Sequence, residues 1–232
     1  MVVIFAGMLL DMVWGRVDST VSHSNQRPTG PEGYAAGPGL NLESNPSRAS
    51  RHSSAEIART NQAPLGNWAD KQHTCEEASL VMVDRYLGGD HSGSQIDPRN
   101  ADGAINQITP WKPAVDLTAE QVGEVATQHL GWSHEVLPVS RVNMQQQLSL
   151  GRPLIVGVRT RGLGHSNYPG YSTHYEQPGW SVSHYLVVVG YDQSGSFVLN
   201  DPGITRGRGY SITYDQLMHA IDDLDQAYPS GA

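Results

Sequence analysis

The 232-residue chain has a single cysteine, Cys75, and two lysines, Lys71 and Lys112. One thiol excludes an intramolecular disulfide framework, a zinc finger and an iron–sulfur cluster. No run of basic residues occurs, and the formal net charge is −8, which argues against nucleic acid and anionic membranes as partners. Charged residues make up only 16% of the chain, too few for one kept unfolded by its own charge. No internal repeat is present. No apolar run approaches the roughly 20 residues of a membrane-spanning helix. The opening MVVIFAGMLL is apolar, but no Lys or Arg precedes it, Asp11 interrupts it, and no small-residue cleavage site follows. Residues 1–17 read as an apolar N-terminal segment, buried or frayed, with a truncated export signal as the alternative. Localisation stays open between the cytoplasm and the cell envelope or exterior.

What is present is glycine and proline, 25 and 14 residues respectively, beside 38% hydrophobic residues. That balance fits one globular domain with long loops. From residue 18 to 62 the chain is rich in Ser, Asn, Gly and Pro and poor in large apolar residues. Such a stretch buries too little surface to offset its chain entropy, so it reads as a disordered leader or linker. The domain proper is expected over 63–228.

Residues 75–87, CEEASLVMVDRYL, predict a helix that is apolar nearly all round and therefore central and buried. Thr74 and Glu77 have capping-box spacing, which puts Cys75 at the first helical position. Residues 90–113, punctuated by Asp97-Pro98 and Thr109-Pro110, read as a loop. Thr118 and Gln121 cap a helix to Leu130, Ser140 opens another to Leu150, and Thr213 with Gln216 caps a last one to about Leu224. Strands are expected at 153–158, 184–190, 197–199 and 210–213. Helices first and an antiparallel sheet after them make the fold class α+β.

Cys75 at a helix start sits beside unpaired amides and the positive end of the helix dipole, which favours a thiolate able to attack a carbonyl. Glu76 and Glu77 work against this unless they point away. If residues 192–195 form a four-residue hairpin loop, Tyr191 pairs with Ser196 and Leu186 with Asp201. Strand alternation then puts Asp201 on the face of His184, where a carboxylate orients an imidazole. Asn200, next door, falls on the other face.

In order, Cys75-Glu76-Glu77-Ala78-Ser79-Leu80, Gly151-Arg152-Pro153-Leu154-Ile155-Val156, His184-Tyr185-Leu186-Val187-Val188-Val189-Gly190-Tyr191-Asp192 and Leu199-Asn200-Asp201-Pro202 resemble the papain-like cysteine peptidases. They are similar in particular to the bacterial double-glycine leader peptidases that process bacteriocins. The resemblance covers residues 65–225. It implies a papain-like fold, in which the central helix carrying the cysteine packs on an antiparallel sheet. It also implies a thiol-dependent amide hydrolase working through an acyl-enzyme thioester. Cys75 would be the nucleophile, His184 the base and then the acid, and Asp201 the orienter. The family's oxyanion glutamine lies about six residues before the cysteine. Here that position is Ala69, and Gln72 is the nearest candidate.

The implied partner is a peptide or amide substrate, with no cofactor and no metal; the oligomeric state is undetermined. Aromatic residues between 159 and 183, Tyr175 and Trp180 among them, are candidates to grip substrate from a long loop. His165 and His174 do not have metal-ligand spacing with His184. His73, two residues before Cys75, is a rival base. The rivals to a hydrolase are an inactive papain-like binding domain, an acyl transferase or transpeptidase using the same triad, and a small metal-binding domain. Because 18–60 lacks core-forming residues, limited proteolysis is expected to leave a stable fragment that begins near residue 60. Protection of the whole leader would overturn that expectation.

Overall fold

The apolar run from Cys75 to Leu87 is one helix, α1, buried over its first nine residues. The computed structural model describes residues 1–6, 52–53, 57–91, 93, 95–163 and 182–227. Within these, α3 (Ala119–Leu130), α4 (Arg141–Ser149) and α5 (Tyr214–Ala227) form where their caps predict. Thr118 and Gln121 make a reciprocal capping box, and Thr213 and Gln216 make another. The strands β4 (Leu154–Arg159), β5 (Ser183–Tyr191), β6 (Phe197–Asn200) and β7 (Arg208–Ile212) follow the sequence expectation within two residues.

Four features depart from expectation. Residues 98–108 are a helix, α2 (Pro98–Ile108), followed by a 3-10 turn at Thr109–Trp111. Its signals were Asp97, whose carboxylate accepts from the amides of Arg99 and Asn100, and Pro98 at the first turn. Ala101, Ile105 and Ile108 supply its buried stripe. Residues 134–138 add a strand, β3 (His134–Pro138), and the N-terminus adds β1 (Val2–Ala6). β1 is inserted between β3 and β4 and runs parallel to both, so the sheet is mixed rather than wholly antiparallel. The ordered body also starts before residue 63: Ile57, Ala58, Arg59, Thr60 and Gln62 are all buried. A fragment starting near residue 60 would lack β1 and β2 (His52–Ser53), the latter paired with β5. The rest of the stretch expected to be a leader, and the loop carrying His165, His174, Tyr175 and Trp180, lie outside the described residues.

The strand order is β3-β1-β4-β5-β6-β7, with β2 beside β5. Alternation sorts the sheet's side chains into two cores. Ile4, Ile155, Tyr185, Val187 and Val189 face α1, α2 and α3. Val3, Leu154, Val156, Val158, Leu186 and Val188 face α4 and α5. This α+β architecture is the papain-like one. Ile4 is wholly buried between β3 and β4, although it lies 71 positions before the α1 cysteine. Ile4→Ala is expected to cost about 2–5 kcal/mol, read from urea unfolding. A change within a few tenths of a kcal/mol would mean that β1 does not belong to the folded sheet.

Candidate active site

The site forms where α1 begins and where β5 and β6 pair. Val187 faces Asn200 and Val188 faces Leu199, as the hairpin reading requires. Nearer the turn the register changes: Tyr191 pairs with Phe197, not Ser196. The Gly195 amide donates to the Asp192 carbonyl, and Gly195 has φ +80°, which makes the turn one residue tighter than expected. A bulge between Val188 and Gly190 absorbs the difference. The register at the functional end is therefore the expected one.

That register brings His184 and Asp201 together. His184 Nε2 lies 2.7 Å from Asp201 Oδ1, and both residues are buried. Asp201 also accepts from the Gly203 amide at 2.7 Å and from the Tyr210 hydroxyl at 3.1 Å. A buried carboxylate needs this many donors to repay its lost hydration. Gly203 leaves room for the ring, because a Cβ there would come within 2.8 Å of His184 Cε1. Asn200 takes another role: its amide donates to the Ile57 carbonyl at 3.0 Å and its oxygen accepts from the Gly209 amide at 3.1 Å.

Cys75 begins α1, but the expected capping box is absent. The Thr74 hydroxyl donates to the Gln62 and Lys71 carbonyls instead. Glu77 points to the Lys112 ammonium, 3.2 Å away, and to Thr109. Glu76 is buried as well, pairing with Lys112 at 3.4 Å and accepting from the Leu117 amide at 3.1 Å. The Cys75 thiol donates to Glu76 Oε2 at 3.2 Å, and the Tyr185 backbone amide points at its sulfur. The sulfur thus lies against the peptide that joins His184 to Tyr185, while its own proton is directed to Glu76.

These surroundings reverse the expected thiolate. Burial pushes the Cys75 thiol well above its ordinary pKa, and the Glu76 charge adds to this; the Tyr185 amide and Lys112 act the other way. Magnitudes explain the outcome. A helix terminus contributes about 0.3–1 kcal/mol, less than one pKa unit. Full burial can move a group by about 3–5 units. Glu77 is also raised by burial, with Lys112 opposing. Burial works against the Lys112 charge, but Glu76 and Glu77 outweigh it and hold its pKa up.

Among the other residues singled out in the sequence, Gln72 is exposed, and its carbonyl accepts from Gln62 Nε2. His73 faces outward and pairs with Asp116 at 3.5 Å. Gln62 went unnoticed in the sequence. Its buried side-chain amide donates to the Lys71 and Gln72 carbonyls, fixing the turn that delivers Cys75. The Glu76–Glu77–Lys112 cluster was half legible. Two acids beside the only cysteine were visible, but the lysine that meets them lies 35 residues further on.

A fold of this kind, with a cysteine at the head of its central helix and a histidine–aspartate pair on the neighbouring strands, has the layout of a cysteine peptidase-type hydrolase. The chain belongs to the Peptidase_C39 like family, which matches it over residues 55–228. No curated protein was found to match it.

The buried charges make a direct forecast. Glu76→Gln removes a negative charge and an acceptor from the thiol, so the pH profile of Cys75 alkylation by iodoacetamide is expected to fall by about a unit. Lys112→Met is expected to move it upward. Profiles unchanged in both folded variants, followed by mass spectrometry, would show that the cluster does not act on the thiol.

Proposed function

We propose that the protein hydrolyses an amide bond through a thioester on Cys75, with His184 as base and acid and Asp201 as orienter. The observation that carries this reading is the 2.7 Å bond between His184 Nε2 and Asp201, made while the Cys75 sulfur rests against the His184–Tyr185 peptide. With Nε2 engaged by the carboxylate, Nδ1 is the ring nitrogen left for proton transfer. His184 takes the thiol proton as the sulfur bonds to the substrate carbonyl carbon. The resulting oxyanion is stabilised by the Cys75 backbone N–H, one of the unpaired amides of the helix start. Collapse breaks the carbon–nitrogen bond, and the imidazolium returns its proton to the leaving amine. Water, deprotonated by His184, then cleaves the thioester to the acid and restores the thiol.

Burial that raises the thiol pKa favours its neutral form, so in this reading His184 acts as a general base rather than as half of a preformed ion pair. The likeness to double-glycine leader peptidases makes peptides ending in Gly-Gly the first substrates to try. Gln72, exposed beside the helix start, is the candidate second oxyanion donor. An inactive binding domain is the reading that the buried, protonated thiol would favour.

Trapping with a peptide-based electrophile, followed by mass spectrometry, separates these readings. Wild type is expected to form one adduct at Cys75, and Cys75→Ala none, with little loss of stability. His184→Ala should slow adduct formation by about 10²–10⁴-fold, and Asp201→Asn by less. Gln72→Ala should slow it only if that side chain serves the oxyanion. A folded protein that forms no adduct, or that reacts equally well without His184, would leave the hydrolase reading untenable.

A further inference from the structure

Arg59 lies in the stretch that composition assigns to the leader, yet it is among the most deeply placed charges in the protein, 4% exposed. Its Nε and Nη2 donate to the carbonyl oxygen of Asp201 at 3.0 and 2.9 Å, and Nη2 also donates to the Ile204 carbonyl. Among the described residues it has no carboxylate ion pair. A guanidinium cannot shed its proton, so this is a permanent buried charge. Neutral carbonyls satisfy its donors but do not cancel its charge. Burial tells against it, and the opposing attraction comes first from Asp201. The turn after β6 is shaped around this contact. The Asp201 amide donates back to the Gly207 carbonyl at 2.6 Å. A Cβ at Gly207 would fall 2.0 Å from the Asp201 carbonyl and 3.0 Å from Arg59 Nη2, so only glycine lets the clamp close.

We propose that Arg59 is a positioning residue of the active site, clamping the backbone of Asp201 and supplying the buried positive charge that balances its carboxylate. The inference rests on the assignment of His184 and Asp201 given above. Its chemical consequence concerns the imidazole. An uncompensated buried aspartate favours the imidazolium, which cannot accept a proton from Cys75. A fixed cation beside that aspartate favours the neutral ring, the form a general base requires. Among the described residues, the other groups bonded to this pair or flanking it do not supply such a charge. Tyr210 from β7 reaches Asp201 with a neutral hydroxyl. On the α1 side, burial disfavours charge on the Cys75 thiol, and Lys112 is already engaged by Glu76 and Glu77. Arg159 of β4 pairs with Ser183 and so projects from the opposite face of the sheet to His184.

The test is proton NMR titration of the histidine rings in the full chain, with His184 assigned by its loss in His184→Ala, run beside the pH profile of Cys75 alkylation. Arg59→Met is expected to raise the His184 titration by about one unit and to shift the acid limb of alkylation upward with it. Arg59→Lys keeps the charge but not the fork. It is expected to leave the titration within a few tenths of a unit while amide exchange at Gly203 and Gly207 speeds at least tenfold. A folded Arg59→Met in which the His184 titration stays put would overturn the charge role. If Arg59→Met does not fold, unchanged exchange in Arg59→Lys would overturn the clamp. If alkylation proves indifferent to His184 itself, the hydrolase reading falls, and the NMR titration still decides the role of Arg59.

Discussion

The antiparallel ladder between β5 and β6 is the constraint from which the site follows. It holds two polar side chains, 17 residues apart in the chain, on one face of a sheet that is otherwise apolar. The ladder tolerates a tightened turn because the bulge after Val188 takes up one residue before the register reaches His184. A slip of one residue without that bulge would put Asn200 on the face of His184 and turn Asp201 away. Every further contact of the carboxylate depends on the same register, from the Tyr210 hydroxyl on β7 to the Gly203 amide in the turn.

The second determinant is burial at the head of α1. The positive end of a helix and a nearby lysine both favour a thiolate. They are outweighed by loss of water and by a carboxylate at hydrogen-bond distance. The acidic pair after the cysteine is therefore not a surface feature tolerated beside the site. It is a buried cluster, bridged by the single charge of Lys112 and tied through Leu117 to Tyr185, whose hydroxyl donates to the Leu117 carbonyl at 2.9 Å. One connected network thus links Cys75 to the strand that carries His184. Apart from it, the buried Arg59 guanidinium holds the backbone carbonyl of Asp201. The lone thiol and the imidazole are thus each flanked by buried ionic groups, Glu76 beside Cys75 and Asp201 beside His184.

Local pattern was enough where one element's chemistry decides its own shape. The apolar content of 75–87 gave a buried helix, the capping residues at Thr118, Ser140 and Thr213 gave helix starts, and the runs at 154–159 and 183–191 gave core strands. The pairing of His184 with Asp201 was legible for the same reason, since hairpin register and two-residue alternation are short-range rules. Elements whose stability comes from distant partners escaped notice. β1 is five apolar residues with no cap or turn to announce it, and it becomes a strand because β3 and β4 present open edges to it. Arg59 sits in a stretch with a leader's composition and is held by carbonyls 142 and 145 residues away.

The sequence by itself determined the α+β class, the central helix with its lone cysteine, and the facing of His184 toward Asp201, because each depends on spacing within one element or one hairpin. Tertiary structure alone decided the burial that raises the thiol pKa, the inward fold of Glu76 and Glu77 onto Lys112, the exposure of Gln72 and the placing of Arg59 against the Asp201 carbonyl. These are consequences of burial and of charges meeting across long chain separations. The free energy of a buried charge depends on what surrounds it in space, and one-dimensional order does not specify that.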